Sequence, residues 1–195
     1  MPPKIKISKE HILDAAFQIV REEGHETVNA RTVAERLNCS TQPIMYNFKT
    51  IEELKQEVYK IADQYHTDYL MNLDGQELMP LLAVGLNYIR FGHEEKNLFR
   101  FLFQTNQFSG LDLDALISDR SLTELLNMTA DAAKCDSSSV KELFRKIFIM
   151  AHGYASLYAN NALKYDPEAC RNDLCYVFAS MKGGNFLSGK YPAKM

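Results

Sequence analysis

NARTVAERLNCSTQPIMYNF, residues Asn29 to Phe48, reads as two short helices broken by a tight polar turn. The first is expected over about Ala30 to Leu37, with Val33, Ala34 and Leu37 on its buried face. Asn29 suits its N-cap, because a side-chain oxygen there accepts an otherwise orphaned backbone N–H. Asn38 and Cys39 make the turn, and Ser40 is placed to cap the next helix. Pro43 then falls in a first turn, where its missing N–H costs nothing. A short helix offering Thr41, Gln42, Met45, Tyr46 and Asn47 has too little apolar surface to be core. That is the outline of a helix-turn-helix, whose second helix enters a DNA major groove.

Working outward, helical periodicity dominates and strand signals are almost absent. An amphipathic helix precedes the motif from about Ser8 to Glu23, with Ile12, Leu13, Ala16, Phe17 and Val20 on one face and Gly24 as the stop. After it, Thr50-Ile51-Glu52-Glu53 has the capping-box pattern and starts a long helix to about Met71. That helix is long enough to leave the first domain and act as a lever into the next. Further helices are expected over about 76–93, 96–105, a stretch ending near Lys134 with a break at 119–121, 140–164 and 168–182. Asp136 to Ser139 is a cap cluster and Asp166-Pro167 a boundary. The expected fold is all-α. A three-helix DNA-binding domain (1–50) is joined by the connecting helix (51–71) to a helical ligand-binding and dimerisation domain (72–183). A flexible tail (184–195) follows.

Composition limits what such a chain does. No apolar run approaches the ~20 residues that cross a bilayer. The start, MPPKIKISKE, lacks the apolar core of a signal peptide, so a cytoplasmic location and no membrane partner are expected. Cys39, Cys135, Cys170 and Cys175 show no metal-ligand spacing and read as reduced structural thiols. Residues 1–60 hold nine Lys/Arg against nine Asp/Glu, whereas the whole chain has 22 against 25. Local placement nevertheless favours phosphate: Lys4, Lys6 and Lys9 precede the first helix, Arg31 opens the second and Lys49 follows the third. One copy should bind modestly and a dimer should make up the difference. The helix over 140–164 carries one apolar stripe and, off it, Ile149, Met150 and Leu157. The last helix is also apolar on two sides. A helix apolar over so much of its circumference needs cover on both. Met150, Leu157, Leu174, Val177, Phe178 and Met181 are therefore the candidate dimer interface; burial within one subunit is the alternative.

The elements ILDAAFQIVREEG, RTVAERLNCS (Arg31 to Ser40), Tyr46, Phe48 and Glu52-Glu53-Leu54, at their mutual spacing, resemble the DNA-binding domain of tetracycline-repressor-type (TetR-family) transcriptional regulators. The likeness covers about residues 8–60. Tyr88-Ile89-Arg90-Phe91, Leu98-Phe99 and Ala151-His152-Gly153 look like patterns of that family's ligand-binding domains. The resemblance implies a symmetric homodimer on a pseudo-palindromic operator in double-stranded DNA. It also implies a small-molecule effector that changes the spacing of the two recognition helices, and a role as repressor. Four positions depart from the family pattern: Met45 stands where a phosphate-contacting Tyr is usual, Asn47 where His is, Ile51 where Lys is, and Asn38 where Gly is. Asn tolerates a left-handed backbone better than most residues.

Thr41 and Gln42, at the start of the recognition helix, are candidates for base edges. Tyr46, Asn47, Lys49 and Thr50 suit phosphates; Arg31 suits either; Met45, Lys4 and Lys6 complete the expected DNA-binding set. Tyr88, Phe91, Phe99, Phe103, Phe108, Tyr154 and Tyr158 could line an apolar pocket with a few hydroxyls, His152 adding a polar contact. Aromatics at helical spacing also serve simply as core. No catalytic residue, metal site or cofactor is expected: Glu22-x-x-His25 and Asp63-x-x-His66 do not complete a dinuclear site, and no phosphate loop or nucleophile elbow occurs. The rival readings are a ligand-independent DNA-organising dimer and a helical-bundle enzyme or metalloprotein.

Overall fold

Ser8 opens the first helix, α1 (Lys9–Glu23), with a reciprocal cap. Its hydroxyl accepts from the His11 amide at 3.3 Å, and its own amide donates to His11 Nδ1 at 3.4 Å. Gly24 closes the helix at φ 96°, a backbone that L side chains rarely adopt. The computed structural model describes residues 7–75, 77–105, 110, 122–134, 136–161 and 163–181. Lys4, Lys6, Phe108, Cys135, the break expected at 119–121 and the tail 184–195 lie outside the described residues, as does the Met181 side chain.

The fold is all-α. A 3-10 turn at His25–Thr27 leads into α2 (Ala30–Arg36) and α3 (Gln42–Asn47). Then come α4 (Ile51–Met71), α5 (Pro80–Glu94), α6 (Lys96–Phe103), α7 (Thr123–Ala133), α8 (Ser137–Asn160) and α9 (Pro167–Met181). No strand occurs among the described residues, and no helix of them is long and apolar enough to cross a membrane. The chain divides into two compact units, 1–67 with 95–107 and 68–94 with 108–195.

In the first unit, α1 buries Ile12, Ala15, Ala16, Phe17, Ile19 and Val20. α2, α3 and the residue after α3 meet this face through Val33, Ala34, Ile44 and Phe48, all buried. Asn29 caps α2 by accepting from the Arg31 and Thr32 amides at 3.0 and 3.1 Å, and Thr32 Oγ1 accepts from the Asn29 amide at 3.1 Å. At the other end the Cys39 amide donates to Ala34 O (2.9 Å) and the Asn38 amide to Glu35 O (3.1 Å), with Asn38 at φ 49°. That pair of bonds is a Schellman stop, and it needs a left-handed residue where Asn38 stands. Ser40 is not the cap of α3. The helix begins one residue later, with Thr41 O accepting from the Met45 amide at 3.1 Å and no side-chain cap. Thr50 Oγ1 accepts from the Glu53 amide at 3.1 Å, while Glu53 Oε2 accepts from the Lys49 amide at 2.8 Å; the box expected here closes one residue upstream of Thr50.

In the second unit α5 is the central element, with Leu81 to Gly85, Asn87 to Ile89, Phe91 and Gly92 all buried. It starts at Pro80 rather than 76, with proline at its first position. Asn87 Nδ2 donates to the Leu70 and Asn72 carbonyls at 2.9 and 3.0 Å, satisfying backbone left open where α4 ends. Asp136 caps α8 through the Ser138 and Ser139 amides, both at 3.0 Å, so the helix starts before the expected Val140. It stops at Asn160 rather than 164, where Asn160 and Asn161 turn their amides back onto the Ser156 and Leu157 carbonyls at 2.9 and 3.1 Å.

Candidate nucleic-acid interface

The six residues of α3 divide cleanly. Ile44 is fully buried, and Phe48, just past the helix, is buried with it. Outward stand Thr41, Gln42, Met45 and Tyr46. Met45 is 46% exposed and Tyr46 is 89% exposed. Met45 and Tyr46 thus leave apolar and aromatic surface in water on the side of α3 away from Ile44.

The other candidates surround that face with unequal freedom. Lys49 and Thr50 are exposed at the α3–α4 junction, and the Thr50 hydroxyl is engaged with Glu53. Arg31 is exposed and pairs with Glu35 one turn on, Nε to Oε1 at 2.9 Å, a surface pair weak enough to be exchanged for phosphate. Asn47 is half-buried and spends its amide on the Pro43 carbonyl at 2.8 Å, which fits a helix-stabilising role. Arg36 is neutralised by Glu22 and Glu23, each at 2.8 Å. Lys9 lies over the Phe48 ring, 5.3 Å from its centre, holding a cation beside α3.

The aromatic residues named for a ligand pocket fall into separate groups. Phe99 is buried and Phe103 half-buried on α6 in the first unit, where Phe103 meets His66 edge-on at 5.1 Å. In the second unit Tyr88 and His152 meet across α5 and α8, hydroxyl to Nδ1 at 2.9 Å, with Phe148 against both rings. Burial raises the Tyr88 phenol well above 10 and lowers His152 below 6.5, so both are neutral near pH 7. Phe91 is fully buried and packs edge-on against Tyr69. Tyr158 is buried, its hydroxyl 3.6 Å from Cys170 Sγ, and stacks with Tyr154, which donates to Asp173.

The dimer candidates divide as well. Leu174 and Phe178 are buried within the second unit's own core, Leu174 lying against Gly85 of α5. Ile149 (53% exposed) and Leu157 (50%) stand out from α8 in a single chain, with Met150 and Val177 half-buried and Tyr176 exposed on α9. A Cβ built on Gly153, between Ile149 and Leu157, would meet nothing within 4 Å. Ile149 and Tyr176 are exposed apolar and aromatic side chains outside the residues expected from the sequence to form the dimer interface. Their signal was the second apolar side of each helix. Cys39, Cys170 and Cys175 are free thiols, and burial raises the last two. Among the described residues no group of three or more His, Cys, Asp or Glu could hold a metal ion.

Residues 81–175 match the family model of the tetracyclin repressor-like C-terminal domain. Among solved structures, the fold is similar to a regulatory protein of the tetR family from Rhodococcus RHA1, with TM-score 0.56 and 17% identity over 90% of this chain and 97% of that one. It is also similar to a candidate fatty acid metabolism regulator from Clostridium perfringens, with TM-score 0.54 and 16% identity over 89% of this chain and 97% of that one. Among curated proteins no sequence matches.

Proposed function

We propose that this chain is a transcriptional regulator of the tetracycline-repressor family, and that it grips a pseudo-palindromic operator as a homodimer through α3 and changes its grip when a small molecule occupies the second unit. The observation that carries the reading is the exposed face of α3, anchored from behind by Ile44 and Phe48. Gln42 reads a base, with Thr41 beside it; Tyr46, Lys49 and Arg31 hold phosphates. Two copies pair across Ile149, Leu157 and Tyr176, setting α3 and its mate one helical turn of DNA apart, roughly 34–36 Å. The effector meets the half-buried His152 and its partner Tyr88, a polar pair among aromatic rings suited to a mostly apolar molecule with one hydrogen-bonding group. Its binding favours a dimer whose α3 helices no longer match successive major grooves, and the operator is released.

Selection from random duplex DNA with the purified protein, followed by binding at several salt concentrations, tests this. Gln42→Ala should relax preference at one base pair. Lys49→Ala should weaken all sequences alike and reduce the salt slope by about 1. Should both variants bind the selected duplex as the parent does at moderate salt, α3 is not the reading helix.

A further inference from the structure

The chain passes between its two units at two points, inside α4 after Thr67 and between Glu94 and Glu95. A trio of the same kind, one arginine, one tyrosine and one glutamate, occurs on each side of these points. In the first unit Arg21 takes both oxygens of Glu95, Nε at 2.8 and 3.1 Å and Nη2 at 2.5 Å. Tyr65 donates its hydroxyl to Glu95 Oε1 at 3.0 Å, and the Arg21 guanidinium lies 5.4 Å from the Tyr65 ring centre. In the second unit, one turn further along α4, Tyr69 donates to Glu94 Oε2 at 2.5 Å. Arg90 donates to the Tyr69 hydroxyl at 2.8 Å and lies 5.1 Å from that ring. Two consecutive carboxylates are thus gripped by two tyrosines at i and i+4 of one helix, each tyrosine backed by an arginine.

The two grips differ in burial. Glu95 is buried and Glu94 is exposed. A buried ion pair adds little net stability, because desolvation offsets the attraction, but a forked Arg–carboxylate pair dictates geometry. What Glu95 holds is α6. From there Asn97 Nδ2 donates to the Arg21 carbonyl at 3.0 Å, His25 stacks on Phe101 at 5.4 Å, and Tyr59 donates to the Leu102 carbonyl at 3.3 Å. The helix is therefore fastened to the end of α1 and to α4, the two helices that flank α2 and α3 in the chain. Glu95 is also the residue that directly follows α5.

We infer that Glu95 is a positioning residue of the DNA-reading unit: held by Arg21 and Tyr65, it fixes α6 across α1 and α4, so that α6 and the DNA-bound state of α3 are linked. The inference rests on α3 binding DNA. Linkage runs both ways, so DNA on α3 must change the protection of α6.

The test uses full-length protein and the duplex that the parent enriches from random DNA. Hydrogen exchange of residues 96–103 is followed with and without that duplex. In the parent, DNA should slow this exchange. Glu95→Gln, which keeps the shape and removes the charge, should still bind the duplex, about tenfold more weakly, and lose the DNA-linked protection of 96–103. Tyr65→Phe, which removes one hydrogen bond and keeps the ring, should fold where the first variant does not and show the same loss with about a threefold change in binding. The proposal is overturned if the linked protection survives in both variants, even with a lower melting temperature, or is missing in the parent. If the parent enriches no duplex at all, the DNA-binding reading fails first and the positioning role falls with it.

Discussion

The reader helices and the helices around α5 are held by opposite means. Around α2 and α3 the chain is shaped by hydrogen bonds between near neighbours: Asn29 with Arg31 and Thr32, Asn38 with Glu35, Cys39 with Ala34, Asn47 with Pro43. Helices of seven and six residues are too short to persist by propensity, and their few buried side chains only pin them from behind. Around α5 the fastening is close packing between residues far apart in sequence. A Cβ built on Gly92 would lie 2.6 Å from Ala155 Cβ and 2.8 Å from the Ala155 carbonyl oxygen. The reader is thus a shape made by caps so that one face can stay bare. The second unit is a shape made by contact.

Breaking each kind of fastening should have its own signature. The largest effect is expected at Gly92. Gly92→Ala drives a methyl into backbone that has no rotamer to yield, so α5 and α8 must part, at a cost of about 3 kcal/mol or more. Gly85, two turns earlier, is the control. Its Cβ would meet side-chain ends, Ile147 Cγ2 at 3.1 Å and Leu174 Cδ1 at 3.2 Å, which can shift by a few tenths of an ångström. Gly85→Ala should cost about 1 kcal/mol. Urea unfolding of the two variants decides it; equal midpoints would mean that backbone contact is not what holds α5.

The same contrast explains what could be read in the sequence. Caps and stops are local chemistry, so Gly24, Asn29, Asn38 and Asp136 could be assigned from their neighbours alone. Ser40 misled because a serine three residues before a proline-bearing turn has the right pattern, whereas the first helical carbonyl belongs to Thr41. Nothing in the periodicity of 95–107 marks its grouping with α1 to α4. The bonds from Glu95 to Arg21 and Tyr65 span 74 and 30 positions, and no local pattern encodes them. Leu174 and Phe178 are buried in their own unit for the same reason of distance: an apolar residue on α9 carries no mark of which side that core will take.

Acid should sharpen the comparison from the other direction. Burial lowers the His66 pKa from 6.5 to about 4 in the folded first unit. The unfolded chain therefore binds a proton between those values that the folded chain refuses. Stability from His66 is complete above pH 6.5 and drains away as pH falls toward 4. At pH 5.5 the loss is on the order of 1 kcal/mol relative to neutral pH. His152, half-buried in the second unit, shifts in the same direction and adds to the slope. Chemical denaturation at pH 7.5 and 5.5 measures the slope, and His66→Leu should flatten most of it. An unchanged slope in that variant would assign the acid sensitivity elsewhere.

The smallest expected effect tests the reader's dependence on local geometry most directly. Asn38 sits at φ 49° in the stop that separates α2 from α3, and its own amide and that of Cys39 close the bonds to Glu35 and Ala34. Glycine enters that backbone without the steric penalty that any Cβ incurs, so Asn38→Gly should stabilise by about 0.5 kcal/mol. Alanine keeps the Cβ and loses the short polar side chain that eases the left-handed conformation, so Asn38→Ala should destabilise by about 1 kcal/mol. The ordering Gly, Asn, Ala in melting temperature is the prediction, with base preference of the Gly variant unchanged because the stop keeps its shape. If alanine matched asparagine, the turn would be held by the packing of its flanks, and the contrast between the two units would shrink to one of degree.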